Sequence, residues 1–386
     1  MLKRTPLYAA HQRLGARLVE FGGWEMPVQY TSIVEEHKAV RQAAGLFDIS
    51  HMGEVQLSGP GASAFLNHLL TNDIRKLEPG QGQYTLMCNE RGGVIDDLYA
   101  YRVHSDNYLL IVNASRIEAD WDWLQGQLDA SPIPEGIRLN NLSDEYAAIA
   151  VQGPRVCEFI NLALPGGSLR GTMASNVTDL KKNQVAEFLF QATAVSVART
   201  GYTGEDGFEI IAPPGSIALL WDRILSVGMP FGIKPAGLGA RDTLRTEVCY
   251  PLYGHELDET TTPIEAGLWR FVELEKGEFV GRSRLAAQKA AGPQRKCVAF
   301  RMADKSAPPR PAYPIWSCGP GGAQIGTVAS GTQSPSMGVG IGMGYVPTVF
   351  AAPGTPIEIE VRGKRFPATI APKPLYKKPR PPQNAG

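Results

Sequence analysis

Two carboxylates set in strands, a tyrosine in a glycine turn and an arginine at a helix start are the residues whose types and spacing could do chemistry. Residues 199–210 read Arg-Thr-Gly-Tyr-Thr-Gly-Glu-Asp-Gly-Phe-Glu-Ile, so Gly201, Gly204 and Gly207 bracket Tyr202 and two acids before an apolar strand over 208–212. Glycine is used where φ must be positive or where backbone approaches another group closely. Glu205 and Asp206 suit solvated turn positions or caps. Glu209 alternates with Phe208 and Ile210 and points to the face opposite theirs, either as an exposed strand residue or as a fixed carboxylate for a planar ligand.

Asp96 and Asp97 fall inside a strand over 94–101, where Asp is disfavoured. Alternation sends one to each face, and whichever enters the interior must be paired, hydrogen-bonded or functional. Arg241 and Arg245, four apart at the start of a helix over 237–245, share one side. They form a solvated face, or Arg241 enters a pocket where a guanidinium grips a carboxylate or carbonyl. Together Asp97, Glu209, Tyr202 and Arg241 suit a flat heteroaromatic ligand with N–H donors and an anionic tail, such as a pterin with glutamyl carboxylates; a flavin or purine satisfies nearly the same groups. His51 alone is a hydrogen-bonded loop histidine before it is a catalyst.

Other chemistries lack their signatures. Six histidines show no zinc spacing, and five scattered cysteines without a Cys-x-x-Cys pair read as reduced thiols that mostly fill the core. The glycines of 338–344 lack the Gly-x-Gly-x-x-Gly spacing and a following helix, so they are not a nucleotide loop. With 38 basic and 38 acidic residues the formal charge is zero, which argues against a nucleic-acid or membrane-surface footprint. No apolar run spans a bilayer and the start lacks a signal-peptide core, so a cytoplasmic protein is expected.

The elements that must position these groups follow from the pattern. The length of 386 residues implies two or three domains, and 42 Gly with 30 Pro imply many short strands and turns. We expect an aromatic loop over 21–30, a helix over 32–44 capped by Ser32 and ended by Gly45, a strand at 55–58 and a helix over 62–70. A hairpin joins 84–88 to 94–101 through Gly92-Gly93, followed by a strand over 108–112 and a helix presenting Ile117, Trp121, Leu124 and Leu128. A Pro-rich link over 131–136 marks a boundary. A strand over 147–151, an apolar helix over 156–164, one strand over 188–197 and a helix capped by Ser216 come next. The last third holds short strands at 296–302, 326–330, 339–346 and 357–361, a small all-β barrel or sandwich, and a basic Pro-rich tail from Lys377 that reads as extended or disordered.

Residues 5–8, Phe21 to Pro27, Phe47 to Glu54, Asn89 to Leu98, Arg199 to Glu209, 237–242, 252–254, 279–281 and Ser330 to Gly338 together closely resemble the aminomethyltransferase of the glycine cleavage system, the T-protein family, from Thr5 to about Tyr376. The resemblance implies an α+β, three-domain cloverleaf with folate in a central opening and a C-terminal β-barrel-like domain. The first domain would join 1–50 to 140–242, the second 54–132 to 243–275, the third would span 276–376, and 377–386 would be a tail. It implies transfer of a one-carbon unit from the aminomethyl-lipoyl H-protein to tetrahydrofolate, giving the 5,10-methylene form, ammonia and the dihydrolipoyl H-protein, in association with the P- and L-proteins. By resemblance Asp97 is the catalytic aspartate, with Asp96 second. Glu209 is the pterin-binding glutamate, Tyr202 and Arg241 are folate contacts, and Met52 and Asn113 join them; no metal is implied. The sequence departs from the family over 246–251 and at Trp269-Arg270, which bears on local packing and H-protein docking. The rivals are another tetrahydrofolate-dependent demethylase or one-carbon transferase of the superfamily, or a non-catalytic folate-binding scaffold.

Overall fold

The structure, a computed structural model, describes residues 2–131, 136–303, 307–319 and 321–378. Most of the expected link over 131–136 and nearly all of the tail lie outside the described residues.

Two sheets facing each other position the chemistry. The first has seven strands in the order Ser168–Gly171, Val185–Phe190, Thr193–Ala198, Gly207–Ala212, Ala147–Gln152, Ala44–Asp48 and Ile233–Pro235, antiparallel except for the last pair. One of its faces packs Phe188, Phe208, Ile210 and Ala212 against the helix Pro214–Gly228, whose Trp221 is fully buried. The second sheet is antiparallel and orders Gln81–Cys88, Val94–His104, Asn107–Val112, Gly53–Ser58 and Arg138–Asn141. Its outer face buries Leu98 and Leu110 against Leu66 and Leu124 of the helices Ala62–Leu69 and Ile117–Asp129. The remaining faces meet: Leu109 and Ile111 of the second sheet pack on Phe47, Ala148, Ala150 and Ile211 of the first, and Tyr101 packs on Val185 and Ala198. A period of two therefore brings everything on these inner faces to one interface.

The last third closes into a six-stranded barrel of Arg295–Met302, Gly340–Pro347, Gln324–Gln333, Pro314–Ser317, Pro356–Val361 and Lys364–Ala371. Closure removes the exposed edges that a small sheet would present. The strands Pro314–Ser317 and Lys364–Ala371, which complete it, were not among those expected.

Several local expectations are corrected. The aromatic loop is a hairpin, Arg17–Phe21 with Trp24–Gln29, turned by Gly22 and Gly23 at φ 57° and 86°. The helix expected over 32–44 is Ile33–Gln42, with Ser32 accepting from the Glu35 amide, and Ala44 already belongs to a wholly buried strand, Ala44–Asp48. Two flanking strands take its backbone groups, and such pairing outweighs helical propensity. The segment over 156–164 breaks at Phe159 into two short turns. The single strand over 188–197 is two strands, reversed at Gln191 with φ 53°. The helix expected to start at Ser216 starts at Pro214, where a missing N–H costs nothing.

Polar clasps join these units. Arg41 donates to Glu247 at 2.9 Å and to Glu205 at 2.8 Å, and its guanidinium lies 4.1 Å from the centre of the Tyr376 ring. Glu247, fully buried at the end of the helix Leu238–Glu247, also accepts from Ser334 at 2.5 Å and Ser336 at 2.9 Å of the barrel, with His37 at 3.3 Å. Burial opposes its ionisation, but His37, Ser334 and Arg41 outweigh it and hold the carboxyl near a pKa of about 2. Glu205, expected as a solvated turn residue or a cap, is instead a partner of Arg41 and Lys378 with its side chain buried. Fully buried Arg245 likewise links Asp242, Glu256 and Ser330 of the barrel.

Candidate active site

Glu209 stands on the inner face of the first sheet, the face it shares with Ile211. Its cross-strand neighbours are Ala150 and Ala198, so two short side chains leave room around a carboxylate. Among the described residues it receives no hydrogen bond; burial raises its pKa and the charge of Arg241 opposes that rise. A half-buried carboxylate beside one guanidinium, with no donor of its own among the described residues, is placed for N–H groups from a ligand.

Asp97 faces it from the second sheet, with Tyr99 and Tyr101 two and four residues on along the same face. Tyr84 donates to Asp97 Oδ2 at 2.8 Å and Asn113 Nδ2 to Oδ1 at 3.0 Å. Asp96, fully buried on the opposite face, accepts from the Asn113 amide N–H at 2.9 Å and from Nδ2 at 2.8 Å. Asn113 follows the neighbouring strand and reaches round its edge to hold both acids. Burial and then the charge of Asp96 push Asp97 up to about 7, against the hydrogen bonds from Tyr84 and Asn113. A carboxyl so balanced can take or give a proton near neutral pH.

Tyr202 and Arg241 close the space between the two acids. The Arg241 guanidinium lies 4.6 Å from the Tyr202 ring centre, and the Tyr202 hydroxyl donates to the Pro251 carbonyl. Asp97 helps raise the Tyr202 pKa after burial, and Glu209 those of Tyr99 and Tyr101. Met52 packs half-buried against the inter-sheet cluster that holds Ile211 and Ala240. All six residues singled out from the sequence therefore lie around one inter-sheet space, with the Asn113 amide committed to the two aspartates. Sequence reasoning missed Tyr84, Tyr99 and Tyr101; their alternation with Asp97, and the cross-strand pairing of Tyr84 with Tyr99, was the available signal. His51 is fully buried, and burial and Arg241 push it down to about 4, so it is neutral at physiological pH. A groove of about 660 Å³ between the barrel and the helix Pro263–Ala266, lined by Glu265, Arg295 and Tyr345, contains none of these residues. Convergent polar groups, not volume, mark the site.

All five cysteines are free, and no three or more His, Cys, Asp or Glu among the described residues form a group that could hold a metal ion. No helix among them is long and apolar enough to cross a membrane.

Residues 7–276 match the family profile described as the GCVT N-terminal domain, and residues 295–377 the glycine cleavage T-protein C-terminal barrel domain. An aminomethyltransferase of Geobacillus thermodenitrificans is 46% identical over 385 residues, covering 98% of this chain and 99% of that one. One from Desulfitobacterium hafniense is 44% identical over 382 residues, covering 98% and 99%. The crystal structure of the glycine cleavage system aminomethyltransferase T from Bartonella henselae superposes with a TM-score of 0.88 at 33% identity, covering 98% of this chain and 99% of that one. Two inner sheet faces, a barrel closing the chain and full-length identity of this order lead to one assignment: the chain belongs to the glycine cleavage T-protein family of aminomethyltransferases.

Proposed function

We propose that the aminomethyltransferase activity of this chain is carried out between the two sheets, with Asp97 as the acid–base group and Glu209, Arg241 and Tyr202 holding tetrahydrofolate. The observation that carries the reading is Glu209, a half-buried carboxylate with no donor among the described residues, flanked by two alanines on the inner face of the first sheet as Asp97 stands on that of the second. The fit is chemical: a pterin presents neighbouring N–H groups to a carboxylate, and its glutamyl tail wants a cation. Tetrahydrofolate supplies the two nitrogens that accept the one-carbon unit, and loses two protons as the lipoyl sulfur and the departing amine of the aminomethyl-lipoyl H-protein gain two. Asp97, balanced near neutrality, relays one of these protons, a contribution of roughly 10²- to 10⁴-fold. Asn113 and Tyr84 fix its two oxygens, the charge of Arg241 opposes the rise that burial imposes on Glu209, and the aromatic walls of Tyr99, Tyr101 and Tyr202 exclude water. Met52 lines the same space.

In this reading the donor is the lipoylated H-protein, the setting is the glycine cleavage system with its P- and L-proteins, and the compartment is the cytoplasm. The three domains follow the division 1–50 with 140–242, 54–132 with 243–275, and 276–376.

The test is turnover. Full-length protein given aminomethylated H-protein and tetrahydrofolate is expected to release ammonia, and Asp97→Ala to lose this at least a hundredfold while binding tetrahydrofolate within a few-fold of the parent. Normal ammonia release by Asp97→Ala overturns the role assigned to Asp97.

A further inference from the structure

Asp120 takes no part in the reaction described above, yet it lies beside the acids that do. It sits in the first turns of the helix Ile117–Asp129, fully shielded from solvent, and neither of its carboxyl oxygens receives a donor from any described residue. Its neighbour within hydrogen-bonding reach is the carboxyl of Asp96, itself fully buried. Two ionised carboxylates repel at such a contact, and they bond only when one keeps a proton.

The charged and titratable groups around the pair leave no room for two negative charges. The strand Val94–His104 contributes Asp97. The turn before the helix contributes Arg116, whose guanidinium pairs with Glu259 at 2.8 Å and lies 4.8 Å from the Tyr253 ring centre. The segment beyond the helix Leu238–Glu247 contributes Tyr253 and Glu259 themselves. Among the described residues, Arg116, already shared with Glu259, is the cation that acts on Asp96 and Asp120.

We propose that Asp120 is a positioning residue for Asp97: it keeps a proton, donates it to Asp96, and through the Asp96–Asn113 clasp fixes the orientation and the electrostatic field of Asp97. This rests on the reading of Asp97 as the acid–base group. The clasp is continuous, because the Asn113 amide that donates to Asp96 at 2.8 Å also donates to Asp97 at 3.0 Å. Burial and the charge of Asp96 push Asp120 up to about 11, which leaves it neutral at physiological pH. Burial raises Asp96, and the hydrogen bonds from Asp120 and Asn113 oppose that rise, so a donating Asp120 favours the charge on Asp96 that raises Asp97. Without that donor, buried Asp96 takes up a proton itself, the repulsion on Asp97 disappears, and Asp97 ionises at lower pH.

Two substitutions separate this role from simple packing. Asp120→Asn keeps a donor toward Asp96, whereas Asp120→Leu removes it at similar volume. In the infrared spectrum of the full-length protein at neutral pH, Asp120→Asn is expected to remove one protonated-carboxyl band. In the pH profile of kcat/KM for ammonia release from aminomethylated H-protein with tetrahydrofolate, Asp120→Asn should keep the acid limb in place. Asp120→Leu should move it down by about one pH unit, a tenfold change in proton affinity. Persistence of the band in Asp120→Asn overturns the proposal, as does an acid limb in Asp120→Leu at the parent pH or an equal shift in both variants. Should Asp120→Leu not fold, the infrared band of Asp120→Asn decides. Normal turnover by Asp97→Ala would instead remove the reading of Asp97 and leave the band unchanged.

Discussion

Asp97 and Glu209 are two carboxylates in one space with opposite needs. Asp97, raised to about 7, keeps its proton in the folded protein over a range where an ordinary Asp near 3.8 has lost it. Its contribution to stability is therefore full at low pH and falls as pH rises through 7. Asp97→Asn, neutral throughout, should match the parent near pH 4 and exceed it at pH 8 by on the order of 1–3 kcal/mol, seen in thermal melts at the two pH values. Equal differences at both would show that burial of Asp97 stores no such energy. Glu209 is expected to bind rather than react. Glu209→Ala should weaken tetrahydrofolate binding by roughly 10- to 100-fold, the loss of charge-assisted hydrogen bonds, and titration calorimetry would detect it. An unchanged dissociation constant would remove Glu209 from the pocket. The sequence exposed these residues because Asp inside a strand and Glu after a glycine turn break local preference. It hid Asp120, which looks like any polar residue on a helix, and it hid the fact that Glu205 is buried against Arg41.

The element that delivers Glu209 is a strand whose first residue cannot carry a side chain. A Cβ on Gly207 would lie 2.3 Å from the Val151 carbonyl oxygen of the neighbouring strand. Gly207→Ala must push the strand away, at a cost of roughly 1–3 kcal/mol, and shift Glu209, two residues on. Lower urea stability together with weaker tetrahydrofolate binding would register both; an unaltered binding constant would show that the strand yields without moving Glu209. Elements with strong alternation or turn chemistry, such as Val94–His104 and its hairpin partner, were legible within a few residues. Ala44–Asp48 was not: its five residues are all buried between two strands distant in sequence, and no local pattern announces such partners.

Across the whole molecule, Glu247 is the point where the helix Ile33–Gln42, the Leu238–Glu247 helix and the barrel meet. Glu247→Ala would take one of the two buried carboxylates that Arg41 pairs with and strip Ser334 and Ser336 of their acceptor, an expected loss of about 3–5 kcal/mol. Hydrogen exchange should then show the barrel strands opening more readily, and unchanged protection would mean that barrel and sheets are coupled elsewhere. The departure of this sequence over 246–251 falls at this junction, where Cys249 adopts a left-handed φ of 61°. The seven-stranded sheet has a further consequence for how the protein is made. Its strand Ala44–Asp48 lies between Ala147–Gln152 and Ile233–Pro235, whereas all five strands of the second sheet come from the chain between Gly53 and Asn141. On the ribosome the second sheet can be complete while the strand Ala44–Asp48 still lacks both its partners. At about 5–20 residues per second that strand waits on the order of ten to forty seconds, an apolar segment for a nascent-chain chaperone to cover.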